Sequence, residues 1–188
     1  MISREEAVLI LEEKVSNKNI IKHMLATEAM MEALAKKFEP SMKEEWGMAG
    51  LLHDGDYAEG VSVEKQGIQI SKWIEERGLE IPVSVKHAMA AHNMENTGVK
   101  PESKMDWALF CGDSLTGLIV ASALVLPSKK LADVTSETVL RRFKETKFAA
   151  GTRREEIKMC EEHLGISLPE FVKITLEAIQ GIHERIGL

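Results

Sequence analysis

Apolar residues along this chain recur with helical rather than strand spacing. Ile20, Met24, Met31, Leu34 and Phe38 share one face of a 3.6-residue repeat, as do Ile70, Trp73 and Ile74. Val61-Ser62-Val63 and Leu79-Glu80-Ile81 alternate, but each is too short to weigh as a strand. Capping signals divide the pattern: Ser3 with Glu6, Ser41 with Glu44, Thr152 with Glu155 and Ser167 with Glu170 set an acid three residues after a hydroxyl. Ser103 with Asp106 is a weaker form of the same box, because the shorter Asp is not the preferred partner. Gly55, Gly78 and Gly165 mark stops where a left-handed residue can follow a helix, and Pro40 and Pro127 cannot continue one. The spacing predicts helices over 3–14, 17–38, 41–54, 62–77, 82–93, 104–126, 136–147, 152–164 and 168–186. The expected class is all-α, a bundle of about eight or nine helices around a buried central one. There is no internal repeat and no low-complexity segment; the longest polar connection, 93 to 102, precedes the central helix.

That central element is Ala108 to Leu126, apolar on every face and interrupted by a single charge, Asp113. Its length approaches that of a membrane span. Asp113, Ser114, Thr116 and Ser122 are costly in lipid and the span would be solitary, so it reads as the core helix of a bundle, with no membrane partner expected. An ionised carboxylate inside such a helix needs compensation: it neutralises, pairs with a cation or coordinates a metal. Matching ligands exist. His53-Asp54 closes one predicted helix and His23 lies within an earlier one, beside Ile20, Ile21, Met24 and Leu25. Alone, His23 is more often a satisfied core histidine than a ligand. Adjacent helical side chains diverge by about 100°, so His53 and Asp54 can serve one ion only where several helices converge near a helix end, and Gly55 supplies that end.

The chain has 188 residues, 44% of them hydrophobic and 29% charged, which suits one globular unit and argues against disorder. A net charge of −6 argues against wholesale coating of nucleic acid, and aromatic residues make up only 5%, too few for stacking along a single strand; no stable nucleic-acid complex is expected. Cys111 and Cys160 form no crosslinking framework and no CxxC zinc signature, and the acidic N-terminus lacks the features of a targeting segment. A reducing, cytoplasmic setting is the expectation.

The order His23, His53-Asp54, Asp113 resembles the H…HD…D pattern of the HD superfamily of metal-dependent phosphohydrolases, with separations of 30 residues (53 − 23) and 59 residues (113 − 54). The similarity extends to Leu51-Leu-His-Asp-Gly-Asp56, Ala91-His-Asn93, Gly112-Asp-Ser-Leu-Thr-Gly-Leu-Ile119, Leu126-Pro-Ser-Lys129 and Phe148-Ala-Ala-Gly-Thr-Arg-Arg-Glu-Glu156, which look like the small stand-alone bacterial HD or HDIG-domain proteins. It covers most of residues 16 to 180. The resemblance implies a single HD domain over 1–188 with a C-terminal helical extension at approximately 128–188. It implies one divalent ion on His23, His53, Asp54 and Asp113, with zinc, iron, manganese, cobalt, nickel and magnesium not distinguished. Gln66 stands where many relatives carry a further His, and a neutral amide is a poor transition-metal ligand. A second family histidine is matched by His92, placed to touch substrate, water or a weaker second ion; His87, one turn earlier, reads as a partly exposed helix residue.

The implied activity is hydrolysis of a small phosphorylated molecule by metal-activated water, with a nucleotide as the first candidate by analogy. Asp54, Asp56, Lys65 and His92 are the candidate catalytic residues. Asp56 orients water or a ligand imidazole, or else caps a turn after Gly55, the two readings having equal weight. Lys65 is a cation for the phosphate. A non-catalytic metal-stabilised ligand-binding module is the alternative, and a di-iron oxygenase is disfavoured by Gln66. Residues 129–154 carry eight Lys or Arg against three acids, a pattern that is more often a solvated helical face than a substrate funnel. The amphipathic C-terminal helix (Phe171, Ile174, Leu176, Ile179, Ile182) leaves room for a homodimer, although packing on its own core is the commoner use.

Overall fold

The helical periodicity is realised without any strand. The computed structural model describes every residue from Met1 to Leu188. Twelve α-helical segments follow in order: α1 (Arg4–Lys14), α2 (Lys18–Phe38), α3 (Lys43–Leu52), α4 (Gln69–Glu75), α5 (Val83–His92), α6 (Met94–Thr97), α7 (Lys104–Leu124), α8 (Ser136–Lys144), α9 (Arg154–Lys158), α10 (Cys160–His163), α11 (Leu168–Gln180) and α12 (His183–Ile186). Short 3-10 turns precede α3, α4 and α8.

α7 is the hub. It packs against α2, α3, α5, α8, α9, α10 and α11, and its interior residues run from Met105 to Ala123 on nearly every face. The one helix long and apolar enough to cross a bilayer is thus the centre of the bundle. The buried apolar residues form a single connected cluster from Ile2 to Ile186, so residues beyond 128 share the core of the earlier ones.

Three predicted caps form. Ser3 and Ser103 make reciprocal boxes with Glu6 and Asp106, and Ser167 accepts from the Glu170 N–H. Asp106 also accepts from His87 Nδ1 at 2.9 Å, which gives that histidine a structural partner. Ser41 does not cap, because Pro40–Met42 already turns as a 3-10 helix that runs into α3 behind Met42. Thr152 does not cap either; Arg153 holds the N-cap position of α9 without a side-chain bond.

The predicted helices at 62–77, 152–164 and 168–186 are each broken. In the first, Gly67 takes φ +86°, and a Cβ there would lie 2.3 Å from the Met89 carbonyl oxygen, so this segment approaches α5 too closely to remain helical. The second breaks at Met159 and the third at Gly181. A close approach of another kind joins α2 and α3. A Cβ on Gly50 would lie 2.7 Å from the Thr27 carbonyl oxygen and 2.9 Å from the Glu28 nitrogen, both backbone atoms, so only glycine permits this crossing.

Candidate metal centre

Four helices and one loop bring their polar residues to one place. His23 comes from the middle of α2, His53 from the C-cap of α3 and Asp54 from the turn beyond it. His92 is the last residue of α5, and Asp113 lies midway along α7. Because α3 ends at Leu52, the turn swings Asp54 to the side of His53, where Oδ2 is 3.5 Å from His53 Nε2. His23 Nε2 lies 3.2 Å from His53 Nε2, 2.9 Å from Asp113 Oδ1 and 3.7 Å from Asp54 Oδ2. His53 Nε2 is 3.6 Å from the same Asp113 oxygen. His23, His53 and Asp54 each offer a ligand atom within 4.8 Å of the others. His92 Nε2 faces the other oxygen of Asp54 at 3.5 Å.

The outward nitrogens of the three rings fix their roles. His53 Nδ1 donates to the Gly50 carbonyl at 2.8 Å, and His92 Nδ1 donates to the Met89 carbonyl. The Thr116 hydroxyl gives its hydrogen to the Asp113 carbonyl at 2.8 Å, so at 3.1 Å it can only accept from His23 Nδ1. With each Nδ1 protonated outward, the neutral rings aim bare Nε2 lone pairs inward. Two such lone pairs at 3.2 Å repel unless a positive charge sits between them.

These residues fit a divalent ion. Bonds of about 2.1 Å place neighbouring donors about 3.0 Å apart in octahedral and about 3.4 Å apart in tetrahedral coordination; the five separations that involve a histidine span 2.9 to 3.7 Å, His23, His53 and Asp54 being the mutually close trio, to which Asp113 is joined through the two imidazoles. Burial works against charge on His23 and His92, but contacts with Asp113 and Asp54 respectively outweigh it and raise both imidazoles above their ordinary values. Burial likewise pushes Asp54 up, yet the field of His53 and the contact with His92 bring it down to about 2. Asp113 is held well below the carboxylate range by His23 and His53, against its own burial.

Two residues that the sequence pattern did not single out complete the surroundings. Arg153 reaches Asp113 Oδ2 with its guanidinium at 2.7 Å, leaving Oδ1 for the centre, and lies 3.1 Å from Glu156 Oε2. Burial pushes the Glu156 carboxyl up to about 7, Arg153 pulling against the shift and Asp113 adding to it. Arg154 organises the preceding loop, donating to the carbonyls of Phe143, Glu145 and Phe148 at 2.8, 3.0 and 2.6 Å. It thereby holds Arg153 in position. The rest of the basic run, Lys129, Lys130, Arg141, Lys144 and Lys147, is exposed, and Arg142 pairs with Glu145.

Two sequence candidates lie elsewhere. Asp56 is fully buried and accepts from the Gly67 N–H with both oxygens, at 2.9 and 3.0 Å, and from the Ile70 N–H at 3.0 Å. Of its two readings, the backbone-bonding one describes the structure: it anchors the broken segment and the start of α4. Burial leaves its carboxyl above the ordinary value despite those donors. Lys65 ends the 3-10 turn at Val63–Lys65, is exposed and makes no ion pair, so the structure does not bring it to the centre. Gln66 is half-buried beside it, its carbonyl taken by Asn93 at 3.1 Å. Comparison of the chain with known protein families, curated proteins and solved structures found no match.

Proposed function

We propose that this chain is an HD-type metal-dependent phosphohydrolase acting on a small phosphorylated molecule. The observation that carries the proposal is the convergence of inward-facing Nε2 atoms from His23 and His53 with the carboxylates of Asp54 and Asp113. These four residues would hold one divalent ion. The chemistry it supplies is polarisation of phosphoryl oxygens and acidification of water.

The remaining residues have distinct tasks. With two carboxylates and one guanidinium around neutral imidazoles, the centre carries a net formal charge of −1, which suits a dication and then an anionic ester. Arg153, 36% exposed, sets a fixed cation beside Asp113, where charge on a transferring phosphoryl group is stabilised. His92 steadies Asp54 from the side away from His23 and His53. Glu156, its carboxyl pushed up to about 7 by burial, can exchange a proton near neutrality beside Arg153.

The test is metal analysis of the purified protein followed by a panel of nucleotides and simple phosphate esters. Divalent-dependent hydrolysis that is lost in Asp54→Asn, with the variant still folded, is the expected outcome. Stoichiometric metal without turnover of any ester would instead favour a metal-stabilised binding module, and a chain that retains no metal would overturn both.

A further inference from the structure

The uncovered face of α7 leads directly away from the centre. Asp113, Gly117, Val120 and Leu124 are spaced i, i+4, i+7 and i+11, a single stripe of the helix. Alongside it lies an open cavity of about 320 Å³, lined by Asn19, Lys22 and His23 of α2, by Gly117, Val120 and Leu124 of α7, and by Ile186 and Leu188. We propose that this cavity seats the organic body of the phosphoester, and that this body is an aliphatic chain. The position of its phosphate end rests on the hydrolase assignment above.

Four observations converge. His23 lines both the cavity and the centre, so the two adjoin at that imidazole. The apolar part of the wall, Val120, Leu124, Ile186 and Leu188, is aliphatic, with Asn19, Lys22 and His23 as its polar part and no Phe, Tyr or Trp to stack on a nucleobase. Leu124 leaves 49% of its surface to water in the free protein, an apolar area that a chain would cover. Gly117 is the most specific. Glycine weakens a helix interior, yet a Cβ at this position would meet no atom within 4 Å, so nothing in the fold requires the missing side chain. A side chain there would project into the open space beside it. At the rim, Lys22 is exposed and forms no ion pair, which suits an anionic ligand.

The variant Gly117→Leu puts a side chain into the cavity beside Val120 and Leu124, and its Cβ clashes with nothing. Its helix propensity rises, so it should melt no lower than wild type. Binding of methylphosphonate and hexylphosphonate, which resist hydrolysis, is measured by titration calorimetry on the zinc-loaded protein. Each methylene buried strengthens binding about fourfold, so partial burial of the longer chain gives hexylphosphonate an advantage of at least about tenfold. That advantage should vanish in Gly117→Leu. Equal affinities in wild type, an advantage that survives in the variant, or no binding of either phosphonate would each overturn the inference. Tighter binding of adenosine 5′-monophosphate than of hexylphosphonate would overturn the aliphatic assignment. A chain-length preference without turnover of hexyl phosphate keeps the cavity assignment and sinks the hydrolase; turnover of short esters without such a preference does the reverse.

Discussion

Thr116→Val perturbs the centre without altering a ligand. The Thr116 hydroxyl accepts from His23 Nδ1 and donates to the Asp113 carbonyl, so it holds His23 in the tautomer that leaves Nε2 bare. Valine has nearly the same shape, and the change removes polarity rather than volume. Two effects follow, and they can be separated. Stability of the metal-free fold should drop by about 1–3 kcal/mol, because the His23 N–H loses its acceptor in a largely closed environment. Metal affinity should fall by roughly 10- to 100-fold, the usual loss when an outer partner of a ligand histidine is removed. That ratio corresponds to about 1.4–2.7 kcal/mol. Competition with a chromophoric chelator reads the second effect directly. Thermal melts with and without metal provide a cross-check, since the stabilisation conferred by the ion should shrink by the same free energy. Thr116→Ser should restore most of both. A valine variant that binds metal as tightly as wild type while losing stability would refute the reasoning, and would remove His23 from the ligand set.

Asp56→Ala should cost stability rather than chemistry: the Gly67 and Ile70 N–H groups lose a buried acceptor, at about 1–3 kcal/mol each. Urea unfolding measures the loss, and metal stoichiometry of the folded fraction should be unchanged; an intact fold with lost metal would contradict the anchoring role. Glu156 titrates near pH 7 when folded and near its ordinary 4.5 when unfolded, so between those values the folded state binds more protons and stability declines as pH rises. Gln cannot ionise, so metal-free Glu156→Gln should gain on wild type in melting temperature from pH 5 to pH 8; parallel pH profiles for the two proteins would count against the buried carboxyl.

Some of this arrangement is legible in the sequence and some is not, for physical reasons. Asp113 announces itself because a lone carboxylate in an apolar helix demands a partner, and the ordered histidines offer one. The all-helical class follows from the 3.6-residue spacing. Arg153 is invisible by the same method: it sits in a run of basic residues whose other members mostly face water, and only tertiary packing, through the carbonyls gathered by Arg154, separates it from them. Thr116 reads as an ordinary core threonine until His23 is placed against it. Asp56 carries two readings of equal weight because a carboxylate after Gly55 can serve either purpose, and only the course of the chain to Gly67 decides. The break at Gly67 has a local signal, the glycine itself, but what forces it is the Met89 carbonyl opposite, contributed by residues more than twenty positions later.

Gly50 supplies no donor atom to the centre except through its carbonyl, yet the spacing of the first two imidazoles is gauged there. His23 and His53 ride on two rods whose axes can meet this closely only because one rod has a notch at that position. Any bulk added at the notch levers the rods apart and moves Nε2 from Nε2, although every ligand remains in the sequence. Under the proposed metal-binding reading, affinity for an ion is therefore vulnerable at a chemically silent position one turn away from the converging imidazoles, and a search for residues that matter to it should look for absent atoms as well as reactive ones.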